Sequence, residues 1–359
     1  DIKPSLLLEG DNPKLIDEWQ DAPQLWDAVR FSIDQKGMTG LYILTGSTSV
    51  DESKIAHTGT GRISRLRMRT MSLFESGDSN GEVSLIQLLN NKDISGKSSH
   101  NIKDIANLIV GGGWPSSLGK SLAIKQRQVA GYCKSIVNVE VSTPDGIDRD
   151  SDKVEHVLRS YSRHISSQAT INTITNDVTK NFDSINRRTV SEYINALKNI
   201  FVIEDLKAWS PTLRSKTTIA TSSTRHFVDP AIAAYFLDAN PDDLINDLET
   251  MGLLFESLVV RDLRIYVESL NGKLFHYRDY SGLETDAVLH FKNGDWGAVE
   301  VKLGNMAIDN GANNLLKLKE KINTDKMNAP SFLAVITASG YAYQRPDGVY
   351  VIPIGCLRN

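Results

Sequence analysis

Residues 14–20 read Lys-Leu-Ile-Asp-Glu-Trp-Gln, a short apolar run that ends in adjacent carboxylates, Asp17 and Glu18. A strand with this ending can hold Mg²⁺ and orient a water beside a phosphate, provided that a phosphate-binding loop serves the same site. The same acids are also favoured at helix N-termini, so a helix-starting pair is the alternative. Downstream, Leu25, Val29 and Ile33 fall on one face of a helix over about 24–34, and Gly40–Ser49 reads as a strand ending in Thr45-Gly46-Ser47. Two strands with polar C-terminal ends and a helix between them predict a βαβ unit.

The partner loop is not found at the required spacing. The phosphate-loop pattern is G-x-x-x-x-G-K-[ST], and the position five residues before Gly119-Lys120-Ser121 is Trp114. The same count from Gly96-Lys97-Ser98 reaches Asn91. A one-residue slip removes the convergence of backbone N–H groups that such a cradle needs. The loop is therefore expected upstream of residue 1, with this chain read as a fragment.

The 359 residues allow two or three domains. A net charge of −4 excludes a strongly basic nucleic-acid coat but leaves room for a local basic patch. No apolar run approaches the ~20 residues of a membrane span, and no signal peptide is expected. The two cysteines, Cys133 and Cys356, form no motif, and the seven histidines show no metal-binding spacing. A reducing, cytoplasmic setting is expected.

The pattern changes along the chain. Gly61–Gly77 alternates Arg62, Arg65, Arg67 and Arg69 with Ile63, Leu66, Met68 and Met71, which predicts an extended or edge strand. Short helices follow over 81–89 and 101–110, then a longer one over 120–140, and the polar stretch 142–152 reads as a linker. Helices over 154–165, 171–178 and 186–201 precede strand-like runs over 201–209 and 225–229, a winged-helix pattern. The third helix would present Arg187, Arg188, Thr189 and Ser191 to DNA, with Arg214, Lys216 and Arg225 on the wing. Protein contacts, or plain solvation of a polar face, are the alternatives. A long helix over 249–268, three strands over 273–303, a Lys-rich helix over 313–322 and strands over 331–339 and 348–354 make an α+β unit.

In that last unit Glu300 and Lys302 are two apart on one strand and share a face. Asp286 lies on the preceding strand and Glu256 on the preceding helix. The constellation resembles the PD-(D/E)xK restriction-endonuclease-like superfamily. That resemblance implies Mg²⁺ or Mn²⁺ on Asp286 and Glu300, supplemented by Glu256, with Lys302 stabilising charge or activating water. An ordinary solvated hairpin with a cross-strand Asp–Lys pair is the alternative.

Seven stretches in this order resemble a family of prokaryotic AAA-type ATP-binding proteins that carry a nuclease-like C-terminal domain of unknown function: PKLIDEWQDAPQLWDAVR, LYILTGSTS, GRISRLRMRTMSLFESG, GGGWP, RHFVDPAIAAYFL, GLLFESLVVRDL and ETDAVLHFKNGDWGAVEVKLG. The resemblance implies ATP and Mg²⁺ in the full-length protein. Asp17 would hold the metal through water, Glu18 would polarise the attacking water, and Thr45 or Ser47 would sense the γ-phosphate. Arg62 would stabilise charge, in its own subunit or a neighbour's, although a purely structural basic segment fits it as well. The expected organisation is an α/β multidomain chain: a partial P-loop/AAA-type core over 1–75, a helical lid-like region over 76–150, a winged helix over 151–245 and a nuclease-like α+β domain over 246–359. DNA, protein partners or further copies of the chain are the expected partners, with no membrane. An ATP-switched regulatory protein with a silent nuclease-like fold is the rival expectation.

Overall fold

Lys14–Ile16 forms strand β1, Gln24–Lys36 forms helix α1 and Tyr42–Leu44 forms β2 in the computed structural model. The structure describes residues 3–47, 60–138, 140–142, 147, 149–180, 185–211 and 222–359. The strands pair in parallel, with Ile16 opposite Leu44, so the βαβ unit forms as the sequence predicts. α1 stops at Gly37, whose φ of +61° is the left-handed conformation that closes helices. Trp26 of α1 stacks on Trp19 at 4.8 Å and so fixes the turn that follows β1.

The arginine-rich segment makes no strand among its described residues, 60–72. It is a strap held by side chains. Arg67 and Arg69 both reach Glu204, and Arg69 also pairs with Glu268. Its alternation places arginines toward carboxylates from two separate elements, with no neighbouring strand to complete a ladder. The Met71 N–H then donates to the Gly113 carbonyl at 2.7 Å. A Cβ on Gly113 would lie 2.3 Å from the Met71 oxygen, so the crossing needs glycine there.

Beyond the strap come α2 (Leu73–Ser76), β3 (Val83–Ser84), α3 (Leu85–Leu89), β4 (Gly96–Lys97), α4 (Ile102–Gly111) and α5 (Leu122–Asn138). Ser72, Ser84 and Asn101 close capping boxes on α2, α3 and α4, which explains why such short helices start where they do. α6 (Ser151–Arg163), α7 (Ile171–Thr179) and α8 (Arg187–Asn199) pack on one another and carry Asp150, Thr170 and Asn186 as N-caps. The strands expected after α8 reduce to isolated bridges, Ile203 with Phe227 and Leu206 with Thr224. Side-chain ion pairs take over from the ladder there: Asp205 binds both Lys198 and Arg225 at 2.7 Å.

α9 (Pro230–Phe236), α10 (Pro241–Asn246) and α11 (Leu248–Ser269) lead into β5 (Gly272–Arg278), β6 (Glu284–Phe291) and β7 (Trp296–Lys302). α12 (Ile308–Lys321), β8 (Phe332–Thr337), β9 (Tyr341–Gln344), β10 (Tyr350–Pro353) and β11 (Leu357–Arg358) complete the chain. The main sheet runs β4-β9-β10-β8-β7-β6-β5, with β7, β8 and β10 parallel and the remaining pairs antiparallel. Alternate residues feed two cores. Val299, Val301 and Ile336 pack with α11, whereas Ala298 and Val335 pack with α12. One helix therefore covers each face. The α11-side core continues without a break from Leu73 to Leu357, across the expected boundaries at 150 and 245.

At its centre lies a buried ion triad. Arg261 is 3% exposed, and Asp229 and Asp262 are fully enclosed. Arg261 donates to Asp229 at 3.0 Å and to Asp262 at 2.9 Å. Asp229 also accepts from the Gly113 and Ala231 N–H groups, and Asp262 from the Leu73 N–H. Removing one member of such a set strands a buried charge. Arg261→Ala is therefore expected to destabilise the chain by about 3–5 kcal/mol, read as a fall in the urea midpoint. An unchanged midpoint would show that the triad does not hold the core.

Candidate functional site

The carboxylates of the opening stretch sit at the C-terminal end of the parallel pair. The Thr45 hydroxyl donates to Asp17, and the Ser47 hydroxyl lies 3.4 Å from Glu18. Parallel register makes this possible, because the residues that follow Ile16 and Leu44 emerge side by side. Glu18 adopts φ +49°, a left-handed conformation that non-glycine residues rarely hold, and its carboxylate accepts from the Gln20 amide. The four sequence-predicted residues thus converge into one exposed cluster of acids and hydroxyls. Its donor set suits a hydrated Mg²⁺. Residues 3–16 hold a 3-10 turn and β1, with no strand–loop–helix cradle for phosphates. Arg62 lies elsewhere: it binds Asp34, near the C-terminus of α1, at 2.6 Å. That end of the helix is opposite the strand ends that carry Asp17 and Glu18.

The second cluster lies on β6 and β7 under α12. Lys302 places its Nζ 2.6 Å from Glu300 Oε2 and 3.7 Å from Asp286 Oδ2. Asp286 also accepts from the Val301 N–H at 2.7 Å. Glu300 is 2% exposed, with α12 laid directly over it: a Cβ on Gly311 would come within 3.3 Å of both Glu300 and Lys302. Burial, and then the Asp286 charge, push the Glu300 carboxyl up to about 8. Burial likewise raises Asp286 against the pull of Lys302. Glu256, reaching in from α11, is raised well above the usual carboxylate range by burial and by Asp286. Burial pulls the Lys302 ammonium down, but Asp286 and Glu300 outweigh it and keep the lysine charged. Three raised carboxyl groups thus surround one cation. Among the described residues, however, no three acid, histidine or cysteine side chains converge closely enough to enclose a metal ion. Lys302 fills the space between Asp286 and Glu300.

Asn314 belongs to this cluster and was not expected from the sequence. Its amide bridges Glu300 Oε1 at 3.1 Å and the Glu284 carbonyl at 2.8 Å. The available signal was its place on α12 between buried Ala312 and Leu315, where a polar side chain needs a partner.

At the start of α8, Arg187 and Arg188 are exposed, and Arg188 pairs with Glu192 one turn on. The Thr189 N–H caps onto Asn186, and Ser191 is half-buried. Arg214 and Lys216 lie outside the described residues. Arg225 is not a free wing cation: it is 9% exposed and bound to Asp205 and to the Ala169 carbonyl.

Residues 3–76 match a family model described as an AAA domain. This AAA-like segment contains the Asp17, Glu18, Thr45 and Ser47 cluster. Residues 102–243 and 251–357 match two models for domains of unknown function, DUF8612 and DUF4143. An uncharacterized protein from Haemophilus influenzae is 21% identical over 342 residues, covering 95% of this chain and 74% of that protein. No solved structure matches the chain. Among the described residues no helix is long and apolar enough to cross a membrane, and Cys133 and Cys356 are both buried and free.

The raised Glu300 carboxyl makes stability depend on pH with a defined sign. A carboxyl held near 8 when folded and near 4.5 when unfolded binds more protons in the folded state between those values. Its contribution is therefore intact below about pH 4.5 and is lost as pH rises through 8. Without divalent cations, Glu300→Gln is expected to raise the denaturation midpoint at pH 8.5 relative to wild type and to change it little at pH 5. Equal midpoints at both pH values would count against a proton held on Glu300.

Proposed function

We propose that this chain joins an AAA-type nucleotide-binding module to a metal-dependent phosphodiester-cleaving site that acts on nucleic acid. The observation that carries this reading is the meeting of Asp286, Glu300 and Lys302 on adjacent strands, with the Glu256 carboxyl close enough to act on them electrostatically in a largely buried setting. Carboxyl groups raised by burial around one lysine would give up their protons to a divalent cation, which favours their charged forms. Asp286 and Glu300 would hold the ion, with Glu256 contributing through its field or through a water. Mg²⁺ or Mn²⁺ would supply polarisation of a phosphoryl oxygen and a more acidic bound water. The Val301 N–H orients Asp286, Asn314 orients Glu300, and the Lys302 ammonium is positioned to meet developing negative charge.

For the N-terminal module, Asp17, Glu18, Thr45 and Ser47 would serve the metal and water side of an ATP site. Asp17 would hold Mg²⁺ through water, and Glu18, fixed by its left-handed backbone, would orient the attacking water. α6–α8 with their exposed Arg187 and Arg188 fit a winged-helix contact to DNA phosphates. Their pairing and capping interactions fit a protein contact as well.

A second reading is favoured by one observation, the placement of Lys302 between the two carboxylates. In that reading the ion pair is permanent, the nuclease-like fold is silent, and the module regulates partners in response to nucleotide. The two readings diverge in one assay. Cleavage is expected with Mg²⁺ or Mn²⁺ on a panel of DNA and RNA, and Asp286→Asn or Lys302→Ala is expected to reduce it by at least ~100-fold. Chelator-insensitive cleavage, or none over the whole panel, would remove the nuclease reading and leave the regulatory one.

A further inference from the structure

Two exposed tyrosines stand in register with the Glu300–Lys302 pair. Glu300 pairs with Val335 of β8, Val335 with Val351 of β10, and Val351 with Tyr343 of β9. Directly paired residues share a face of the sheet, so the Tyr343 side chain leaves on the same side as Glu300. Tyr341 lies two residues along β9 on that same face and pairs with Lys97 of β4. The row spans three strand spacings of ~4.8 Å each. α12 packs over β6, β7 and β8, and β9 lies beyond it. Tyr341 is accordingly 63% exposed and Tyr343 42% exposed.

We propose that Tyr341, Tyr343 and Lys97 form a stacking ledge for single-stranded nucleic acid on the sheet that carries the Asp286–Glu300–Lys302 site, beyond the helix that covers that site. This deepens the nuclease reading by naming its substrate class, and it rests on that reading for the reaction. Side chains two apart on a strand lie ~6.7 Å apart, about twice the 3.4 Å spacing of stacked bases, so a base fits between or against the rings. Aromatic faces on a sheet with a nearby cation are the elements of sequence-tolerant single-strand binding. Lys97 lies 5.5 Å from the centre of the Tyr341 ring and has no carboxylate partner among the described residues. Of the acids in this part of the chain, Asp309 and Asp347 are both paired with Arg345, and Glu82 accepts from the Lys97 backbone N–H. A duplex keeps its base faces stacked internally and cannot use the rings in this way. A second copy of the chain pairing along β9 would need a free edge, but β4 already occupies that edge at Tyr341 and Ala342.

The test is fluorescence anisotropy of a labelled twelve-nucleotide oligo(dT), in EDTA so that cleavage plays no part. Both rings are exposed, so their replacement leaves the core untouched. The wild-type chain is expected to bind the single strand, and unlabelled duplex to compete poorly. Tyr341→Ala and Tyr343→Ala are each expected to weaken binding about tenfold. Tyr341→Phe should retain binding, and Lys97→Ala should lower its salt dependence. Unchanged binding by both alanine variants overturns the ledge, as does wild type that fails to bind. A dimer lost in the alanine variants without oligonucleotide binding overturns it too, in favour of an interface between copies. The two proposals fail separately. Lost binding in the alanine variants with no wild-type cleavage keeps the ledge and removes the nuclease, whereas cleavage and binding indifferent to the tyrosines do the reverse.

Discussion

The Asp229–Arg261–Asp262 triad is the constraint on which the rest of the structure depends. A guanidinium without water must satisfy its donors locally, and two carboxylates without water must do the same. Their geometry is met only when four separate stretches arrive together: the start of α2 at Leu73, the turn at Gly113, the cap of α9 at Asp229 and the middle of α11. Tyr266 extends the set, its hydroxyl lying 3.3 Å from the Leu357 carbonyl. Hydrophobic burial supplies most of the drive to collapse, but it is non-directional. The ionic set supplies direction, because a slipped arrangement of the same apolar residues would leave charge unpaired. Motif-like stretches such as GGGWP, RHFVDP and VVRDL are spaced widely in sequence because each brings one part of this single interaction.

The two acid clusters show how environment divides similar residues between roles. Asp17 and Glu18 are exposed and meet hydroxyl groups, which suits a hydrated ion that exchanges ligands with water. Asp286 and Glu300 meet a lysine and an amide beneath a helix, and burial raises both carboxyls. In the first cluster charge is cheap to hold and easy to rearrange. In the second, any change of charge is felt strongly, since little water is present to screen it.

Much of this was legible in the sequence where the signal was local. The βαβ unit follows from two apolar runs with a helical period between them. The Glu300–Lys302 pairing follows from a period of two on a strand, and Asp229 and Pro230 announce α9. What failed was everything settled by distant partners. Arg62–Met71 alternates as a strand should, yet Arg67 and Arg69 find carboxylates rather than a ladder. Phe201–Trp209 has strand propensity, but it meets its partner at isolated bridges while Asp205 is drawn to Lys198 and Arg225. β9 escapes a sequence reading because Tyr-Ala-Tyr-Gln is too short to show a pattern, and its partner β4 is only two residues long and lies most of the chain away. Asn314 was missed because an asparagine on a helix has no local signature until the acid it serves is known.

α11 joins these parts mechanically. It carries Glu256 toward the buried acid cluster, Arg261 and Asp262 into the triad, and Arg264 and Glu268 toward the strap. Arg261, Arg264 and Glu268 are three and four residues apart and so lie along one side of the helix. Glu204, held near 2 against burial chiefly by Arg69 and Arg264, locks strap and helix together. The strap in turn runs from the unit that carries Asp17 and Glu18. The strap meets α11 through charge pairs, Arg69 with Glu268 and Glu204 with Arg264. The Arg67–Arg69–Glu204–Arg264 cluster is therefore the charge network that joins the strap to the helix.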